Sequence, residues 1–165
     1  MLVAGLVCAL ASGCVGYRLG PTNGLIAGAQ SMQIVPFRNE TIEPRLGDAV
    51  TAAVRRNIQQ DGTYRLSTRG HPDVVVHGTI TRFRRSEISF QPDDILTVRD
   101  YNLVVFARVI ARDRASDRVL VDREVSGWTM IRVGSDLVSA ERQALPVLAD
   151  DLARNITHAL VDGEW

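Results

Sequence analysis

Residues 98–130 read VRDYNLVVFARVIARDRASDRVLVDREVSGWTM, and their reading decides the fold. Tyr101, Leu103, Val105, Ala107 and Val109 recur at every second position, the period of a strand. Val104, Phe106 and Ile110 fill the alternate positions, so the middle of this strand is apolar on both faces. Arg112 to Arg118 is a charged connection. Val119, Val121, Val125 and Thr129 then alternate against Asp122 and Glu124. Two long strands joined by a short polar loop imply an antiparallel hairpin.

Upstream, Val74 to Phe83 is rich in β-branched residues and reads as a strand that continues toward Phe90, with a turn at Gln91-Pro92-Asp93-Asp94. Before it, Tyr64-Arg65-Leu66 is a short extended piece. Pro44 to Gln60 has helical spacing: Leu46, Val50, Ala53, Val54, Asn57 and Ile58 fall on one face, with Asp48, Arg55, Arg56 and Gln59 elsewhere. Thr41 or Glu43 can cap its start, Pro44 suits an early helical position, and Gly62 suits its stop. Met32 to Phe37 alternates as a strand and ends in the turn residues Arg38-Asn39-Glu40-Thr41.

Downstream, Leu137, Leu145, Leu148, Leu152, Ile156, Ala159 and Leu160 form the apolar stripe of a C-terminal helix, with Ser135 as its expected N-cap and Pro146 as an expected kink or start of its main segment. The order is β-α-β-β-β-α. The expectation is a two-layer α+β sandwich, a mostly antiparallel four-stranded sheet with two helices on one face.

The start of the chain has a different character. Residues 1–13, MLVAGLVCALASG, hold no charge and are too few to span a bilayer, which takes about 20 apolar residues. They have the apolar run and small-residue end of a secretory signal. Ala11-Ser12-Gly13-Cys14 resembles a bacterial lipobox, with small residues before the cut and a thiol to accept the lipid. Ala11 stands where a larger aliphatic is commoner, and no positive residue precedes the run. The reading is a removed signal at 1–13, a lipidated Gly-, Ala- and Ser-rich linker at 14–31, and one domain at 32–165. Cys8 goes with the signal and Cys14 carries lipid, which leaves no thiol for a disulfide or a metal. Two or three buried acyl chains, at about 0.8 kcal/mol per methylene, hold a protein on a membrane.

The remainder, roughly 150 residues, suits a single domain. Net charge is zero, which argues against a nucleic-acid partner. All nineteen basic residues are arginine, and guanidinium forks suit phosphate and carboxylate. No catalytic constellation is evident, so the reading is a binding or assembly protein without a cofactor. His71 lies in a turn, His77 in a strand and His158 on the last helix, with no metal-ligand spacing among them. Asp93-Asp94 reads as a turn and Asp150-Asp151 as a helix surface. Two arginine clusters remain as candidate contacts for lipid phosphates or a barrel wall. Arg82 and Arg84 share one side of a strand with Arg85 beside them, and Arg112, Arg114 and Arg118 sit at the hairpin tip.

These segments together resemble the LptE family, the lipopolysaccharide-assembly lipoproteins of Gram-negative outer membranes. The stretch CVGYRLG is similar to the family's Cys-Gly-Tyr start, with Val15 inserted. MQIVPFRNETIEPRLGDAVTAAVRRNI (32–58) is similar to its first strand, turn and helix, and HPDVVVHGTITRF (71–83) to the opening of its second strand. The resemblance implies an outer-membrane protein tethered through Cys14 on the periplasmic face. It further implies a partner, the LptD β-barrel, which family members plug and help to fold while lipopolysaccharide is delivered to the outer leaflet. Some members bind the glycolipid itself. The alternative is an outer-membrane lipoprotein of the LpoB type, an activator of a periplasmic cell-wall synthase, whose fold also opens with a strand, an Asn-Thr turn and a helix.

Overall fold

In the computed structural model, the hairpin read from residues 98–130 is the spine of a larger sheet. The structure describes residues 29–91, 94–133 and 136–162, with the backbone alone for 89–91 and 94–99. The signal, Cys14 and Ser135 lie outside the described residues, as does part of the turn at 91–94.

The elements in order are β1 (Gln30–Ile34), β2 (Arg38–Asn39), α1 (Leu46–Asp61), β3 (Tyr64–Leu66), β4 (Val74–Gln91), β5 (Asp94–Asp113), β6 (Val119–Arg132) and α2 (Leu137–Val161). The α+β class holds. The four-stranded, mostly antiparallel sheet does not: among the described residues the sheet has six strands, in the order β3-β1-β4-β5-β6, with β2 beside β4. β1 runs parallel to both β3 and β4, and β2 runs parallel to β4, while β4–β5 and β5–β6 are antiparallel. The short piece 64–66 and Arg38–Asn39, which reads as a turn in the sequence, are the two missed sheet members. Residues 64–66 are too few for a periodic signal, and they pair only because α1 returns the chain beside β1.

The first strand is split by Pro36, which has no N–H to give a ladder. Val35 N–H still donates to Val76 O at 3.0 Å, and pairing resumes where Glu40 N–H donates to Ile80 O at 3.0 Å. Between them Phe37 turns its ring onto Gly78, where a β-carbon would collide with it. The Phe37 N–H donates instead to Thr51 Oγ1 of α1 at 2.8 Å, and that hydroxyl donates to Gly47 O at 2.7 Å. A helix and a broken strand are thus joined through a buried hydroxyl.

Both helices lie on one face of the sheet, over a single core. Val50, Val54 and Ile58 of α1, Leu148, Leu152, Ile156 and Leu160 of α2, and Val76, Ile80, Leu103, Val105 and Val109 of the sheet are all nearly inaccessible. Each such side chain contributes about 1.5–3 kcal/mol relative to exposure. Gly62 ends α1 at φ +78° as expected. The expected cap of α1 is not used. Arg45 occupies the N-cap with no side-chain bond, and Thr41 accepts from Glu43 N–H within the preceding turn at 3.3 Å. Asp136, rather than Ser135, caps α2, accepting from Val138 N–H and Ser139 N–H at 3.0 and 3.3 Å. The helix continues through Pro146 as one element.

Among the described residues, no helix lies over the other face of the sheet. Its occupants are set by register, and this face holds the candidate site.

Candidate lipid and partner contact surface

On the face away from the helices, Val104 stands opposite Trp128, Asn102 opposite Met130, and Phe106 opposite Ser126. Trp128 and Met130 are 59% and 57% exposed, while Val104, Phe106 and Ile110 are half-buried. The sequence shows β5 apolar on both faces, and the structure covers only one. Val104, Phe106, Trp128 and Met130 therefore form an apolar strip that the described residues leave open.

Arginines flank the strip. A bulge between Ile80 and Arg82 inserts one extra residue into β4, which shifts the alternation by one. Arg82 then pairs with Phe106 and Arg84 with Val104, and both side chains stand on the open face. The Arg82 guanidinium lies 4.5 Å from the Phe106 ring centroid and that of Arg84 lies 5.8 Å from it. Arg82 also reaches Glu124 at 2.6 Å. Arg84 has no carboxylate partner among the described residues. Nearby, Arg108 is held by two bonds to Asp122 at 2.8 and 2.7 Å, and this pairing draws the Asp122 carboxyl below its ordinary range. Arg132 pairs with Asp100 at 3.0 Å.

Arg85, read together with Arg82 and Arg84 in the sequence, faces the helices. It bonds Glu141 of α2 and lies 5.6 Å from the Tyr101 ring centroid. That bond to Glu141 raises the guanidinium above its ordinary value. Arg85 thus ties α2 to β4 and stands apart from the open strip.

The second cluster is at the opposite end of the ribbon. Arg112 is eight positions along β5 from Val104, a distance of about 26 Å at the usual rise. Arg112 donates to Asp117 O at 3.2 Å and lies 3.6 Å from the Asp117 carboxylate. Arg114 and Arg118 are exposed beside Asp113, whose carboxyl is lowered first by the Ser116 hydroxyl and only weakly by Arg118. The two clusters do not converge. The sequence reading missed Trp128 and Met130 as surface features. Their signal was present as apolar residues at alternate positions to Val125 and Thr129.

The remaining candidates are dispersed. His71 and His77 are exposed, and His158 lies 3.3 Å from Asp162 on α2. No three His, Cys, Asp or Glu gather to hold a metal among the described residues. No described helix is long and apolar enough to cross a membrane.

Fold and surface define a small α+β domain with an amphipathic, arginine-flanked sheet face. The model of the LptE family, described as lipopolysaccharide-assembly, matches residues 29–160, and the chain belongs to that family. LptE is a family of non-catalytic lipoproteins of lipopolysaccharide assembly. Among solved structures, the chain is similar to a minor lipoprotein from Acinetobacter baumannii, with TM-score 0.55 and 12% identity, over 81% of this chain and 93% of that one. It is similar to rare lipoprotein B from Shewanella oneidensis, with TM-score 0.53 and 12% identity, over 79% and 94%. It is also similar to a putative lipoprotein from Caulobacter crescentus, with TM-score 0.52 and 10% identity, over 78% and 92%. At such identities the likeness is one of fold. No curated protein matches the chain by sequence.

Proposed function

We propose that this protein is an outer-membrane lipoprotein, anchored through Cys14, that partners an LptD-type β-barrel as plug and assembly factor and contacts lipopolysaccharide with the open face of its sheet. Membership in the LptE family supports the assembly role. The observation that carries the surface assignment is the uncovered side of β5, where half-buried Val104 and Phe106 lie beside exposed Trp128 with Arg82 and Arg84 at the margin. A phosphorylated glycolipid presents acyl chains and phosphates together. The apolar strip suits the first, and the guanidinium forks suit the second, which they bind in bidentate fashion. Arg84 is the principal phosphate ligand in this reading because no carboxylate among the described residues competes for it. Phe106 holds both guanidinium groups near the strip by cation–π contact, worth about 0.5–1 kcal/mol at an exposed site. Arg112, Arg114 and Arg118 serve as a weaker second contact.

The test is a gentle detergent pull-down of the tagged full-length lipoprotein from its native envelope, with mass spectrometry of its companions. A stoichiometric large β-barrel is expected. A periplasmic cell-wall synthase in its place overturns the proposal. With the purified lipoprotein, Arg84→Ala and Trp128→Ala should each weaken lipopolysaccharide binding by about tenfold, on the order of one charge-assisted hydrogen bond or one lost apolar contact. Arg118→Ala should weaken it less. Equal binding by all variants removes the open face from the assignment.

A further inference from the structure

Among the described residues, no strand pairs with the outer side of β4 beyond Ile80. Pairing with β2 stops at Asn39 and Ile80, yet β4 continues to Gln91 with β5 as its neighbour. The other edges of the sheet are short or partly covered. β3 has three residues. At β6, α2 takes two groups in the middle of the edge: Trp128 N–H donates to Asp151 Oδ2, and Ser126 O accepts from Asn155 Nδ2, each at 2.9 Å.

Those two contacts determine which groups of β4 face outward. Since Trp128 and Ser126 direct their backbone groups to α2, Val104 and Phe106 opposite them direct theirs to β4, where they meet Arg84 and Arg82. By alternation, the N–H and C=O groups of Phe83, Arg85 and Glu87 point away from β5 into the open. An unpaired row of this kind is a template for another strand.

We infer that the β4 edge from Arg82 to Ile88 receives an extended acidic segment of a partner polypeptide as an added strand. Charge selects this occupant. Arg82 and Arg84 stand beside the edge on the open face, and Arg84 has no carboxylate partner among the described residues. A second copy of this chain pairing about a two-fold axis at Phe83 would set Arg82 against Arg84, and like charges directly opposite are destabilising. A strand with carboxylates at alternate positions places them beside Arg82 and Arg84 instead. Main-chain bonds supply the affinity and the alternate side chains the selection, as in other strand-addition complexes.

The experiment uses the full-length lipoprotein in detergent and a fluorescent Thr-Glu repeat peptide of about ten residues, long enough for the edge at strand rise. Fluorescence anisotropy should give saturable binding, with none for the matching Thr-Lys peptide. Glu87→Pro removes an outward N–H and no ladder bond to β5, so it should weaken peptide binding by about tenfold, the scale of one or two lost hydrogen bonds, while leaving the melting temperature and lipopolysaccharide binding unchanged. Glu87→Ala should bind the peptide like the parent. Absence of saturable Thr-Glu binding, equal binding of Thr-Lys, or full binding by Glu87→Pro overturns the inference. If Glu87→Pro melts early, Arg84→Glu decides: retained peptide affinity in that variant overturns it. A dimer in sedimentation that Glu87→Pro dissolves overturns it in favour of a second copy. The lipopolysaccharide measurement separates this outcome from failure of the open-face assignment.

Discussion

A β-carbon on Gly127 would lie 2.6 Å from the Cα of Leu152, so the sheet and the backbone of α2 meet where Gly127 has no side chain. Flanking contacts lock that approach, with Asp151 on Trp128 N–H and Asn155 on Ser126 O. The same geometry closes the middle of the β6 edge.

Gly127→Ala therefore forces the helix off the sheet. Overpacking costs about 1–3 kcal/mol, and the obstacle here is helix backbone with no rotamer to change, so the upper end is expected. Urea unfolding of the parent and variant checks it. An unchanged midpoint contradicts the close approach.

Gly78 presents a softer version of the same constraint. A β-carbon there meets the Phe37 ring, which is a side chain. Gly78→Ala alone should cost about 1–3 kcal/mol. In a Phe37→Leu background the added cost should shrink, giving a coupling of about 0.5–3 kcal/mol in a double-mutant cycle. Additive costs would place the strain elsewhere.

Thr51 is a buried hydroxyl on α1 that accepts from one backbone group and donates to another. Thr51→Val keeps the shape and leaves the Phe37 N–H without its partner, at a cost of about 1–3 kcal/mol. Thr51→Ser should lose clearly less, since the acceptor remains. Thermal unfolding of the three proteins tests the order.

Asp73 accepts from both the N–H and the hydroxyl of Ser31 at 2.7 Å, and these bonds hold its carboxyl below the ordinary value. A depressed carboxyl stabilises the fold above its unfolded value near 3.9, and that stabilisation is lost as pH falls through the folded value. Asp73→Asn should accordingly reduce the fall in urea midpoint between about pH 5 and pH 2, with the largest difference from the parent at neutral pH. A parallel pH profile in the variant would remove Asp73 from the acid response.

Much of the architecture was legible because it rests on local periodicity. The alternation from Tyr101 to Val109 identified β5 and its buried face, and the stripe from Leu145 to Leu160 identified α2. Parallel pairing was not legible. It joins residues distant in the chain, such as Met32 with Val74 and Met32 with Leu66, through backbone bonds that leave no mark in the side chains. The bulge after Ile80 was equally silent, and it is what puts Arg82 and Arg84 on the open face and Arg85 on the helix side.

By itself, the sequence determined the two helices, the long hairpin, the apolar character of both faces of β5, and the resemblance to a lipopolysaccharide-assembly family, since each is written in residue types at short spacing. Only the tertiary structure decided which face of β5 stays uncovered, that Arg82 and Arg84 stand on it, and where the outer side of β4 runs without a neighbour among the described residues. These depend on register and on where α2 lands. One inserted residue in a strand turns every following side chain to the opposite face, and the landing of α2 depends on the space left above Gly127.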